Sequence, residues 1–369
     1  MTEKMRAMVL TGHGGFDKYS WRTDWPRPEP GPGEVRIRVH ACGLNNTDVN
    51  TRLGWYAPEV RDATSAEPYD AEIEAGSWSG VDPFPRIQGA DICGVVEAVG
   101  PGADSALLGR RVLVDDWVRD PAAPDDLEKA RFVGSELDGG FADYVVVPAA
   151  NAVPVESPLS DAELATFPCS GATAEGMLSR AGVREGQWVL VTGASGGVGN
   201  FLVQLARRRG ARVVALASPD KHEMLGELGA EVCLPRSPRD LAGALRARIG
   251  QPVVDVVADV VGGAIFPTLL SVIRRGGAYV TSGAIAGPVV ELDLRTLYLH
   301  DLTLHGSTVT SAENFRNLVS YIERGEVRPT LAATWPLEEL VAAQKAFLAK
   351  KHVGKIVVTM VPEATERHG

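Results

Sequence analysis

Apolar positions change their period once along this chain. From Arg6 to about Pro154 they alternate with polar ones over short runs broken by Gly and Pro. Val35, Ile37 and Val39 follow the Pro30-Gly31-Pro32-Gly33 turn in this way. Residues 94–99, 111–114 and 142–147 are further strand candidates, so the first part of the chain reads as β-rich. Residues 55–88 interrupt it with a Pro-, Gly- and acid-containing segment that carries Trp55, Tyr56, Tyr69, Trp78 and Phe84. So long a connection is usually functional or disordered, and its aromatic content points to a lid or a pocket wall.

From Ser160 the pattern becomes one of strands and helices in alternation. A four-residue apolar run, Trp188 to Val191, is followed by a glycine cluster, after which Phe201, Leu202, Leu205 and Ala206 repeat at helical spacing. Strands are then expected over 212–216, 231–234, 253–257 and 278–281, and helices over 221–228, 239–249 and 264–273. A last strand of this series at 302–305 precedes helices near 312–323 and 337–349, and a strand at 355–359 closes the chain. Such alternation predicts a doubly wound parallel sheet with ligands across the carboxyl ends of its strands. No helix is expected after the closing strand, so the tail is expected to rejoin the first part of the chain.

The glycine cluster is the first candidate for chemistry. A side chain at Gly196, Gly197 or Gly199 would hold a pyrophosphate away from the backbone N–H groups at the helix start, where the helix dipole favours an anion. With a strand before it and a helix after it, the turn predicts nucleotide binding.

Length and charge narrow the alternatives. A chain of 369 residues exceeds what one core usually serves. A net charge of −10, with no basic cluster beyond Arg207 to Arg209, argues against nucleic-acid or anionic-membrane partners. No apolar stretch is long enough to span a bilayer and no signal-peptide core follows Met1, so a cytoplasmic location is expected. The four cysteines lie far apart without a C-x-x-C pair, as reduced thiols would.

Four separated motifs carry a family resemblance. The segment from Ala41 to Asp48 (Ala-Cys-Gly-Leu-Asn-Asn-Thr-Asp), Gln88-Gly89-Ala90-Asp91, the turn from Ala194 to Gly199 and His352-Val353-Gly354-Lys355 resemble, in order, landmarks of the medium-chain dehydrogenase/reductase superfamily. The resemblance spans nearly the whole chain. It implies an α/β fold: a β-rich, GroES-like catalytic domain over residues 1–158 and 309–369, plus a Rossmann doubly wound parallel-sheet cofactor domain over 159–308. The glycine turn also fits short-chain dehydrogenases, but none of the seven tyrosines has the Lys four residues later that those enzymes use.

Zinc members of the superfamily hold their catalytic metal at places that here read Asn45, Ala90 and Cys169. A catalytic zinc needs three protein ligands and an open position, and one thiol does not meet that. The resemblance therefore narrows to the zinc-free, quinone-oxidoreductase-like branch, with no metal expected. Its members pass hydride from NADPH to quinones, enones or activated carbonyls. At the end of the second strand of the cofactor domain, Leu216 and Ala217 stand where NAD enzymes place an acid, while Ser218 and Lys221 suit the phosphate of NADPH. Further cofactor contacts implied by position are Thr173, Ser195, Gly196, Gly197, Val198, Gly283, Ala284, Ile285, His305, Ser307 and Lys355, the last reaching the cofactor phosphates.

Without a metal, negative charge on the substrate oxygen must meet hydrogen-bond donors. Asn45 is the expected polar anchor, with Tyr56 or water as proton source and Asp91 as an acid only if burial raises its pKa. Asp91 is more simply read as a group that holds neighbouring backbone in shape. The expected partners are a small-molecule substrate and a second copy of the chain, because the strand at 302–305 would leave a sheet edge open. The same motifs also fit a non-catalytic NADPH-binding protein, or an alcohol dehydrogenase without metal.

Overall fold

The strand Glu34–Gly43 is the organising element of the first part of the chain, because its Val35, Ile37 and Val39 point into one core while Arg36 is held by Glu29 and Glu97 on the other face. The computed structural model describes residues 3–65, 67–69 and 83–360, so Trp78 lies outside the described residues. Strands 152–154, 111–114, 91–99, 34–43, 355–359 and 331–336 follow one another across a mostly antiparallel sheet, with Tyr144–Pro148 also paired to Glu34–Gly43. A smaller sheet of 19–26, 4–10 and 86–87 packs on the same core.

The closing strand Lys355–Thr359 pairs antiparallel with Glu34–Gly43, Val357 opposite Gly43, and Leu44 N–H donates to Ile356 C=O at 2.9 Å. On the other side of the same strand Gly43 faces Asp91. Three segments distant in sequence thus meet at the start of the helix Asn46–Leu53.

The second sheet is six-stranded and parallel, in the spatial order 232–235, 212–217, 188–191, 254–259, 273–281 and 303–306. Its first strand, Trp188–Val191, is buried on both faces, which is why it reads as an unbroken apolar run. Helix Gly197–Arg208 returns over the sheet with Phe201, Leu202, Leu205 and Ala206 buried; the Phe201 ring lies 5.1 Å from that of Phe167. The helix Pro168–Arg180 packs beside it, and at Gly171 the side chain of Leu318, from helix Ala312–Glu323, comes close enough to leave no room for a Cβ.

Most expected elements appear within two residues of their place; among the differences, the strand expected at 94–99 begins at Asp91 and the helix Pro168–Arg180 was not expected. The helix expected over 264–273 ends at Ser271, and Ile273 already belongs to the fifth strand. Register shifts there, with Ile273 opposite Val254 and Ala278 opposite Val256, because Gly276 and Gly277 let the strand bulge. The strand Leu331–Pro336, parallel to 355–359, has no counterpart in the sequence pattern, since Leu-Ala-Ala-Thr-Trp lacks a clear alternation.

Candidate active site

Between the two sheets lies a cleft of about 170 Å³, lined on one side by the start of helix Asn46–Leu53 and on the other by the glycine turn and the loop after the fifth parallel strand. The turn is as tight as the sequence implies. A Cβ at Gly199 would stand 2.1 Å from the carbonyl oxygen of Gly193, and one at Gly197 would meet Ser170 Oγ at 2.8 Å and Lys355 Cδ at 3.0 Å. Asn200 fixes the turn by donating to the carbonyls of Gly196 at 2.7 Å and Gly197 at 2.8 Å. Gly354 N–H donates to Ser195 C=O at 3.0 Å, so the closing segment is tied to the turn.

A buried carboxylate secures the loop beside the turn. Asp259 accepts from Thr192 Oγ1, from Tyr279 OH at 2.6 Å and from the N–H groups of Val261 and Gly262. These bonds set the path of 260–263, against which Gly287 and Ala286 of the 283–287 loop are hydrogen-bonded.

Of the residues expected to contact a cofactor, Thr173, Gly197, Val198, Gly283, Ala284, Ile285, Ser307 and Lys355 line this one cleft. Ser195 and Gly196 form the turn beside it, whereas His305 stays on the edge strand Thr303–Gly306. Ser307 Oγ is buried without a protein hydrogen-bond partner, as a hydroxyl awaiting a ligand group would be. The site fits a dinucleotide: bare backbone at a helix start for the pyrophosphate, and small polar side chains around the inner end.

Two expected cofactor residues sit differently from the sequence reading. Lys221 is only 8% exposed and donates to the backbone carbonyls of His352 at 3.1 Å and Lys350 at 3.3 Å, so its charge is spent on clamping the segment before the closing strand. Ser218 Oγ instead accepts from Arg236 Nη2 at 3.0 Å. Arg236, just past the third parallel strand, is a cation beside Ser218 that the sequence reading did not name; its 18-residue separation from Ser218 is closed by strand pairing, Ala217 opposite Pro235.

The polar centre of the cleft also rearranges the expected roles. Asp91 is fully buried behind the wall, and its oxygens accept from Cys169 N–H at 2.6 Å, Asn45 Nδ2 at 2.8 Å and Lys355 Nζ at 2.5 Å. It is placed as a structural anchor, not as an acid facing substrate. Asn45 uses its amide between neighbours, donating to Asp91 and accepting from Lys355 Nζ at 2.5 Å. Lys355, 1% exposed, points its ammonium at these two and at Ser170 Oγ at 3.3 Å, with its stem passing the glycine turn. Its charge therefore faces Asn45 and Asp91, away from the phosphate role implied by the family resemblance.

Tyr56 and Trp55 stand at the cleft, Trp55 Nε1 donating to Asp62 C=O at 2.9 Å, and Thr64 N–H reaches Ile285 C=O at 3.0 Å. The start of the long insertion is thus a wall of the cleft. Trp117, Phe132 and Val260 add apolar lining to the same cleft. Thr47 was not singled out by the sequence reading; the residue lines the cleft, and its hydroxyl is buried without a protein hydrogen-bond partner.

Burial governs the titrating groups nearby. Asp48, which accepts from Asn45 N–H at 2.7 Å, has its carboxyl pushed up to about 7 chiefly by loss of water. Asp116 is driven well above the usual carboxylate range by burial and by Asp115 and Asp91, and the Cys169 thiol beside it is likewise pushed up. Cys169 is packed in the wall of the cleft, with its backbone N–H tied to Asp91.

These residues do not fit a zinc ion. Ala90 offers no donor, and the oxygen of Asn45 already accepts from an ammonium whose charge would repel a metal dication, which leaves Cys169 as one donor where a catalytic zinc needs three. Among the described residues no group of three or more His, Cys, Asp or Glu is placed to hold a metal, and no helix is long and apolar enough to cross a membrane.

Comparison with known proteins agrees with this architecture. Residues 31–157 match the alcohol dehydrogenase GroES-like domain family and 197–324 the zinc-binding dehydrogenase family. A putative alcohol dehydrogenase from Sinorhizobium meliloti has a crystal structure with a TM-score of 0.88 and 47% identity, over 97% of both chains. The acryloyl-coenzyme A reductase of Metallosphaera sedula is 28% identical over 96% of this chain and 100% of its own. A crotonyl-CoA carboxylase/reductase solved in complex with NADP superposes with a TM-score of 0.83 at 27% identity, covering 96% of this chain and 94% of that one. With both sheets, the glycine turn and these matches in agreement, the chain belongs to the medium-chain dehydrogenase/reductase superfamily of oxidoreductases.

Proposed function

We propose that this protein is a zinc-independent, NADPH-dependent reductase that delivers hydride to a small enone, quinone or activated carbonyl. The observation that carries the reading is the cleft itself, where a dinucleotide cradle meets an apolar wall and the polar centre holds an ammonium in place of a metal donor set. The backbone at Gly196 to Gly199 would hold the pyrophosphate, Ser218 with Arg236 the adenosine phosphate, and Thr173, Ser307 and the 283–285 loop the nicotinamide end. When bound, the reduced nicotinamide supplies the hydride. Trp55, Trp117, Phe132 and Val260 exclude water and favour a flat apolar substrate. The Thr47 hydroxyl, lacking a protein partner, is available to the substrate oxygen, and Tyr56 stands at the same cleft as a further phenolic donor. Known NADP-bound and reductase relatives support this reading over that of a non-catalytic binder.

The test is to follow NADPH absorbance with pure protein and a panel of 1,4-benzoquinones, 2-cyclohexen-1-one and simple ketones, before and after EDTA. Turnover is expected with NADPH in preference to NADH and unchanged by chelator. Arg236→Ala is expected to narrow the preference by about tenfold or more, since a charged hydrogen bond contributes about 1.5–3 kcal/mol. Stoichiometric zinc tied to activity, or equal use of both cofactors, would overturn the respective half of the reading.

A homodimer belongs to the same proposal. Among the described residues the edge strand Thr303–Gly306 has one neighbour in its sheet, and Val289, Val290, Leu294, Tyr298 and Leu299, in the segment leading to it, are exposed. An apolar surface next to an open edge suits self-pairing. Light scattering at micromolar concentration should give twice the chain mass of 39.2 kDa, and Leu294→Glu with Leu299→Glu should return it to monomer.

A further inference from the structure

We infer that Lys355 is a catalytic residue, its ammonium meeting the negative charge that hydride transfer places on the substrate oxygen. This rests on the reductase reading above and assigns the electrostatic part of that reaction to this chain's own cation.

The argument begins with where the charge is held. The antiparallel pairing of Lys355–Thr359 with Glu34–Gly43 brings Lys355 to the level of Asn45, and Gly354 with its φ of 81° turns the chain into that strand. Gly354 can approach Thr330 closely because it has no Cβ, which would lie 2.1 Å from Thr330 C=O. The side chain then runs inward past the glycine turn and ends among Asp91, Asn45 and Ser170.

Its surroundings are those of an oriented dipole. Asp91 lies fully buried behind the ammonium, with its remaining capacity taken by Cys169 N–H and Asn45 Nδ2. On the front, Lys355, Asn45 and Ser170 all line the cleft. The carboxylate is thus locked behind the ammonium, which is itself 1% exposed and stands behind Asn45 and Ser170 at the edge of the cleft. Held in a site with little water, such a charge needs no reorganisation when the oxygen becomes anionic.

Two of the three ammonium donors are committed at 2.5 Å, to Asp91 and Asn45. The third, to Ser170 Oγ, is 3.3 Å long, near the outer limit of a hydrogen bond. Ser170 Oγ is itself only 3.4 Å from Asn45 Oδ1. An oxyanion is a better acceptor than this hydroxyl, so the loose bond is the one exchanged, directly or with Ser170 turning its own O–H to the substrate. Asp91 is a positioning residue in this scheme.

The balance is simple. Hydride, with its electron pair, forms a new C–H bond at the electrophilic carbon; the carbonyl or conjugated π pair moves onto oxygen beside Lys355. Substrate and NADPH take up one proton from solvent, and a reduced product and NADP⁺ leave. Lys355 keeps its charge throughout.

The test compares Lys355→Met and Lys355→Arg with wild type in three measurements. NADPH affinity is read by nucleotide fluorescence, turnover with 2-cyclohexen-1-one or 1,4-benzoquinone, and binding of benzoate, as an anionic probe of the cleft, by calorimetry in the presence of NADP⁺. Lys355→Met is expected to lower kcat about 10²- to 10³-fold, the usual loss of an oxyanion donor, with NADPH affinity within about threefold of wild type. Benzoate binding should weaken at least about tenfold, and Lys355→Arg should restore part of both. The outcome that overturns the inference is a folded Lys355→Met protein with wild-type turnover, or one whose only defect is weaker NADPH binding, which would return Lys355 to a cofactor-phosphate role. Should Lys355→Met fail to fold, Lys355→Arg together with Ser170→Ala carries the test: wild-type turnover and benzoate affinity in both would equally overturn it. Failure of the reductase reading looks different: wild type would oxidise NADPH with no substrate of the panel, while benzoate binding still depended on Lys355.

Discussion

Gly199→Ala is expected to weaken NADPH binding at least about 100-fold while leaving most of the fold in place. The added Cβ would stand 2.1 Å from Gly193 C=O and 2.7 Å from Ala194 Cα, all backbone of the turn itself, so no flexible side chain can yield. The turn has to open. That displaces the N–H groups at the start of helix Gly197–Arg208 on which a pyrophosphate would rest. Overpacking of this kind costs about 1–3 kcal/mol in stability, and the binding loss corresponds to about 2.7 kcal/mol or more. Fluorescence titration with NADPH checks it, with Gly226→Ala as control. Gly226 lies inside helix His222–Leu228 with open space around its Cα, so Ala there should bind NADPH as wild type does. It should also be slightly more stable, by about 0.5–1 kcal/mol.

Asp91→Ala is expected to cost about 3–5 kcal/mol of stability, because it leaves a buried cation without its counter-charge. Lys355 Nζ, Asn45 Nδ2 and Cys169 N–H would all lose an acceptor at once. Urea unfolding followed by fluorescence should show the midpoint fall. The pair with Lys355→Met is the informative comparison: removing both charges should recover much of the loss, whereas additive losses would show that Asp91 acts through Cys169 and Asn45 and not through Lys355.

The positions expected from the sequence and those in the fold differ in an instructive way. Trp188–Val191, the glycine turn and the helix after it were legible because each signal is local: a buried strand is an apolar run, a tight turn needs glycine, and a helix repeats its apolar face every 3.6 residues. Motif order along the chain pointed to the superfamily for the same reason. The strand Leu331–Pro336 escaped notice because it lies at a sheet edge, half exposed and without a one-sided pattern.

Side-chain partners were a different matter. Lys221 is a plausible phosphate ligand when only its neighbours in sequence are considered; in the fold it is turned to the carbonyls of Lys350 and His352, while Arg236 crosses from the next strand to Ser218. Asp91 and Asn45 carry the right chemistry for an acid and a donor, yet Lys355, 310 residues from Asn45 in sequence, occupies them both. Residue type and spacing alone carried the strand, glycine turn and helix, and the motif order that points to the superfamily. Which buried charge faces the substrate was decided only by tertiary structure, because a cation such as Lys355 can be buried only where distant strands bring its counter-charge and acceptors within hydrogen-bond reach.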